Sequence, residues 1–124
     1  MKKILVIDDD VDFNHILRDV LELRDYEVSC AYSGAEGLAL LAKEIPDLII
    51  TDVLMPEVDG IMLLGQMKAH GPEFPCKVMA ISGGGAIDGD RCLKAARIYG
   101  VDATLGKPFT LRELEEKVDT LLAS

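Results

Sequence analysis

Four short, largely apolar runs, each closed by a polar residue, constrain this chain more than any other feature. Ile4-Leu5-Val6-Ile7 runs into Asp8 and Asp9, Leu48-Ile49-Ile50-Thr51 into Asp52, Val78-Met79-Ala80-Ile81 into Ser82, and Ala103-Thr104-Leu105-Gly106 into Lys107. Runs this short and this continuous read as strands buried on both faces, the pattern of a parallel sheet covered by helices. Parallel strands end at a common edge. Three carboxylates, a hydroxyl and an ammonium therefore converge there.

Between these runs the apolar residues change period. Phe13, Ile16, Leu17, Val20 and Leu21 fall at i, i+3, i+4, i+7 and i+8, one face of a first helix. Ser33 and Glu36 stand at capping-box spacing and open a second helix with the stripe Leu38, Leu41, Ala42 and Ile45, ended by Pro46. Asp59-Gly60 introduces a third, which stops at Gly71-Pro72, and a fourth runs from Asp90 to Tyr99 with Gly100 as its C′ residue. Thr110 and Glu113 repeat the capping box ahead of a fifth, whose stripe is Leu111, Leu114, Val118, Leu121 and Leu122. Glu27 to Ala31 supplies the remaining strand.

The order βαβαβαβαβα predicts an α/β fold, a flavodoxin-like doubly wound five-stranded parallel sheet in the order 2-1-3-4-5, with right-handed crossovers and five helices. Ligands of such sheets bind where the strand order reverses, here between strands 1 and 3. Asp8, Asp9 and Asp52 are what those strands deliver.

With 124 residues, 49% of them apolar, the chain builds one core and no second domain, so residues 1–124 are read as a single unit. A formal net charge of −9 argues against direct binding to nucleic acid or an anionic membrane. No apolar stretch approaches the roughly 20 residues of a membrane span, and Lys2-Lys3 precedes no long apolar signal core, so a cytoplasmic location and no membrane insertion are expected. Cys30, Cys76 and Cys92 lack metal-ligand spacing and read as reduced thiols.

The chemistry of the edge follows from its charges. Two carboxylates about 4 Å apart repel by roughly 4 kcal/mol at an effective dielectric of about 20. Three of them need protons or a cation. An all-oxygen donor set suits Mg²⁺ or Mn²⁺ better than Zn²⁺. Lys107 adds a positive charge for an oxyanion, and Ser82 a hydroxyl donor. Asp52, leaving the central strand, is the candidate nucleophile toward phosphorus.

At these residues the chain resembles the receiver domain of bacterial response regulators. Ile7-Asp8-Asp9, Thr51-Asp52-Val53-Leu54-Met55-Pro56 with Asp59-Gly60, Ile81-Ser82-Gly83 and Lys107-Pro108-Phe109 occur in receiver order, and the likeness runs from Lys3 to Leu122. It implies a switch in a two-component phosphorelay, with Asp52 accepting a phosphoryl group from a sensor histidine kinase or a histidine phosphotransfer protein. Asp9, Asp52 and the Leu54 carbonyl would bind Mg²⁺ directly and Asp8 through water, while Ser82 and Lys107 engage the phosphoryl group. The likeness also implies a cis Lys107-Pro108 peptide, an output surface formed by the fourth helix, fifth strand and fifth helix, and an unnamed downstream protein target. Self-phosphoryl transfer and autodephosphorylation would be its only reactions, so a conventional enzyme is not expected.

The chain departs from the receiver pattern in places. Thr104 occupies a switch position that is commonly aromatic, and Gly83 to Gly89 form a longer, glycine-rich loop after Ser82. Switching is therefore expected to pass through Ser82 and that loop. The chain reads either as a stand-alone receiver or as part of a longer regulator.

Other readings compete. Asp8 to Asp10 are also what a solvated helix-capping loop contains, Ser82 also suits a plain strand end, and Lys107 also suits a surface charge. Asp8, Asp10 and Asp12 match the start of a calcium loop, but Phe13 stands where its glycine belongs. Pro108 after Gly106-Lys107 excludes a Walker loop. A haloacid-dehalogenase-like phosphatase shares the Asp nucleophile, hydroxyl, Lys and Mg²⁺, but needs an acidic pair after the lysine. A receiver that binds partners without phosphorylation is the other alternative. His15 and His70 lie far in sequence from the edge residues and are expected to take no part.

Overall fold

The computed structural model describes residues 1–52, 76–82 and 101–123. Their order is β1 (Lys3–Ile7), α1 (Val11–Glu22), β2 (Glu27–Ala31), α2 (Gly34–Lys43), β3 (Leu48–Asp52), β4 (Lys77–Ser82), β5 (Ala103–Gly106) and α3 (Leu111–Leu122). All strand pairs are parallel, and the sheet runs β2-β1-β3-β4-β5. The expected flavodoxin-like order is therefore present. Helices expected after Gly60 and from Asp90 to Tyr99 lie outside the described residues.

Strand periodicity divides the core in two. Ile4 and Val6, Leu48 and Ile50, Met79 and Ile81, and Leu105 pack with Leu17 and Leu21 of α1 and with Leu114 and Val118 of α3. Leu5, Ile7, Ile49, Val78 and Ala80 turn to the opposite face and meet Leu41 of α2. Both faces of the central strands are thus dry, which is why their sequences do not alternate with polar residues.

Local chemistry fixes the helix starts. Asp10 caps α1 by accepting the Phe13 N–H at 3.1 Å. Thr110 and Glu113 form the complete reciprocal box expected for α3. At α2 only half of the expected box forms. Ser33 accepts the Glu36 N–H at 3.2 Å, but the Glu36 carboxylate accepts from Tyr32.

Three stripes differ from expectation. On α1 the buried residues are Asn14, Leu17 and Leu21, while Ile16 is half-exposed, because the buried arc turns toward the polar strand ends and there requires an amide. On α2 the helix stops at Lys43, and both Ala42 and Ile45 are exposed. Gly34, Gly37 and Leu41 face the sheet instead. The approach is close: a Cβ at Gly37 would stand 2.6 Å from Ile7 Cδ1. Leu111 is likewise exposed at the start of α3.

Cys76 is buried and Cys30 half-buried, both as free thiols. Burial pushes the Cys76 thiol up to about 12 and also raises Cys30, which disfavours the reactive thiolate.

Candidate functional site

The register of β1 on β3 sets Ile7 opposite Thr51, and one further step along both strands brings Asp8 beside Asp52. The two-residue period does the rest. Asp8 continues the row Ile4, Val6; Asp52 continues Leu48, Ile50; and Lys107 follows Leu105 on the same side. The apolar rows beneath α1 and α3 thus run into two carboxylates and an ammonium at the sheet's C-terminal edge.

Carboxylate oxygens of Asp8, Asp9 and Asp52 all lie within 4.8 Å of one another. Asp8 is 2% exposed and Asp52 7%, whereas Asp9 opens to solvent. Lys107 reaches over them, its Nζ 3.4 Å from Asp8 Oδ2 and 3.7 Å from Asp52 Oδ2. Burial pushes the Asp8 carboxyl up from its ordinary value; the Asp10 N–H, donating to Asp8 Oδ1 at 2.9 Å, and the Lys107 ammonium oppose that rise. The desolvation of a carboxylate outweighs one amide and one shared cation.

Asn14 supports this edge from α1. Its amide nitrogen faces the carbonyls of Ala31 at 2.9 Å, Asp8 at 3.2 Å and Val6 at 3.5 Å, tying the ends of β1 and β2 to the helix. Lys107 is held on its other side by Phe13, with Nζ 3.9 Å from the ring centroid. The Lys107-Pro108 peptide is cis, as the likeness implied.

The edge therefore gathers Asp8, Asp9, Asp52 and Lys107. Ser82 ends β4 with its backbone opposite Gly106, next to Lys107 in the chain. Leu54 and the Gly83–Gly89 loop lie outside the described residues. Thr104 is half-buried in β5, and its carbonyl accepts from Lys117 Nζ at 2.7 Å. His15 is engaged elsewhere, a ring nitrogen 2.8 Å from the Tyr32 hydroxyl; His70 is outside the described residues. The helix-capping reading holds for Asp10 alone. Sequence reasoning missed Asn14, a polar residue inside a helical period, and took Phe13 only as core.

Arranged in this way, the group has oxygen donors for a hard divalent cation, a carboxylate nucleophile beside it, and a cation for an incoming oxyanion. The sequence profile of the response regulator receiver domain matches residues 4–119. The chain belongs to that family. It is 35% identical to "Response regulator MprA" of Mycobacterium avium over 124 aligned positions, covering 97% of this chain and 50% of that protein. The same figures hold for the protein of that name in Mycobacterium tuberculosis, so the chain spans about half the length of the curated relatives it matches. Among solved structures it is similar to a CheY-like response regulator receiver domain protein from Methanospirillum hungatei, with a TM-score of 0.85 and 30% identity over 98% of this chain and 94% of that one. A putative response regulator from Chloroflexus aurantiacus gives a TM-score of 0.87 and 32% identity, covering 99% and 98%. Among the receiver's described residues, no helix is long and apolar enough to cross a membrane.

Proposed function

We propose that this receiver takes a phosphoryl group onto Asp52 from the phosphohistidine of a sensor histidine kinase or a histidine phosphotransfer protein, in the cytoplasm. A carboxylate oxygen of Asp52 forms the new P–O bond; the P–N bond breaks, and the departing imidazole keeps the electron pair and takes a proton from solvent. The observation that carries this reading is the placement of Asp52: nearly buried at the end of the central strand, with Asp8, Asp9 and Lys107 around it.

The donor set fits Mg²⁺. Three clustered carboxylates supply hard oxygen ligands, so Asp8, Asp9 and Asp52, with the Leu54 carbonyl as the likeness implies, would hold the ion. Bound there, it would offset the repulsion between the acids and a dianionic phosphoryl group. Lys107 pairs with one phosphoryl oxygen and Ser82 donates to another. Asn14 and the Asp10 N–H keep the β1 end in place while this happens. Phosphoryl transfer to Asp52 and its hydrolysis are the only reactions proposed, and the phosphorylated receiver acts on a downstream protein.

Labelling with acetyl phosphate in Mg²⁺ tests the assignment. Wild-type protein should acquire a base- and hydroxylamine-labile acyl phosphate, and Asp52→Asn should acquire none. Undiminished labelling of Asp52→Asn would move the acceptor to another residue. Steady turnover of small phosphate esters by the wild type would favour the phosphatase chemistry instead.

A further inference from the structure

We infer that Phe13 is a positioning residue for Lys107, presenting a π-face that holds the ammonium over the phosphorylation site; this role rests on the function proposed above. The Lys107 ammonium sits 3.9 Å from the Phe13 ring centroid while lying 3.4 Å from Asp8 and 3.7 Å from Asp52. A lysine carries its charge on a flexible four-carbon stem, so something must select one position for it. The two carboxylates serve only in part, since both belong to the acid cluster that a divalent cation would occupy. An aromatic quadrupole is neutral and binds no Mg²⁺, so its attraction for Lys107 persists when the carboxylates are charge-compensated.

The ring is itself fixed from two directions. Its backbone N–H is bound by the Asp10 cap at 3.1 Å, which anchors Phe13 in the first turn of α1. Phe109, two residues after Lys107, meets it edge-to-face with centroids 6.0 Å apart and planes at 72°. Both rings pack on the core cluster shared by α1 and α3. One aromatic pair thus joins the start of α1 to the segment after β5 that begins with Lys107. A leucine at position 13 would fill much of the same apolar volume without offering a π-face.

Phe13→Leu and Phe13→Tyr separate this role from packing. In the wild-type chain the ε-methylene protons of Lys107 should resonate upfield of ordinary lysines, through the ring current; Phe13→Leu should lose the upfield displacement and Phe13→Tyr keep it. With acetyl phosphate and Mg²⁺, Phe13→Leu should lower the labelling rate at saturating donor about tenfold, with the half-saturating donor concentration little changed, and Phe13→Tyr should restore most of it. A cooperatively melting Phe13→Leu protein that labels at the wild-type rate overturns the inference. So do Lys107 ε-methylene resonances at ordinary positions in the wild type. A wild-type chain that takes no label on Asp52 removes the proposed function, and this role with it, and is recognised because it needs no substitution to appear.

Discussion

Asp8 pairs with the Asp10 N–H and the Lys107 ammonium, yet its carboxyl stays above its ordinary value because burial outweighs both. Ionised, it is therefore a destabilising group in the metal-free fold, and the relief comes from a cation or from losing the charge. Asp8→Asn keeps the shape and an oxygen that can accept from Asp10. It should raise the melting temperature in EDTA by a few degrees, the response to about 1 kcal/mol in a domain of this size. The same substitution should shrink the further rise that millimolar Mg²⁺ gives the wild type. Scans with and without Mg²⁺ check both, and an unchanged or lower melting temperature in EDTA would show that the Lys107 pair outweighs desolvation. Asp8, Asp9, Asp52 and Lys107 were legible in the sequence because a strand end fixes where the next residue goes. Asn14 was not, because an amide on a helix reveals its purpose only when three foreign carbonyls stand around it.

Between elements, the contact of α2 with β1 decides which residues of α2 are buried. Gly37 lies against Ile7, and an added Cβ would meet Cδ1 at 2.6 Å and Cγ1 at 3.1 Å. Ile7 is fully buried in the core cluster on that face and has little room to retreat. Alanine in a helix gains about 1 kcal/mol over glycine, whereas overpacking costs about 1–3 kcal/mol. Gly37→Ala should therefore destabilise by up to about 2 kcal/mol, the difference of those two effects. Ile7→Val removes Cδ1 and makes the space. The double variant Gly37→Ala/Ile7→Val should be more stable than the sum of the single changes predicts, in a urea-denaturation cycle. Additive losses would mean that Ile7 is not the obstacle. Leucine spacing alone pointed to Leu38, Leu41, Ala42 and Ile45; how near the helix approaches, and hence that glycine faces the sheet, is a tertiary distance.

Across the whole molecule, the turn after α1 is tied to the last helix. Tyr26 donates its hydroxyl to Asp119 Oδ1 at 2.7 Å, and Arg24 pairs with Asp119 and, at 3.0 Å, with Glu115. The Tyr26 hydrogen bond holds the Asp119 carboxyl below its ordinary range, with Arg24 adding to it, while burial and the same hydrogen bond push the Tyr26 phenol up to about 12. A depressed carboxyl contributes stability above its unfolded value of about 3.9, lost as pH falls through the folded one; a raised phenol contributes below about 10, lost as pH rises toward 12. Tyr26→Phe should thus cost about 1 kcal/mol across the neutral range, the worth of one such hydrogen bond. That loss should diminish toward both acid and strongly alkaline pH. Urea midpoints at several pH values test it, and a pH-independent loss would assign the effect to packing alone.

The sequence by itself determined the order of elements, the parallel sheet and the edge at which Asp8, Asp9, Asp52 and Lys107 meet. Each of those depends on period, on strand ends and on a few caps, all of them local properties of the chain. Tertiary structure alone decided that Asn14 braces the edge, that Gly37 rather than Ala42 faces the sheet, and that Phe13 lies under the Lys107 ammonium. Those are distances between residues remote in the chain, set by how closely helices settle on the sheet, and no periodicity encodes them.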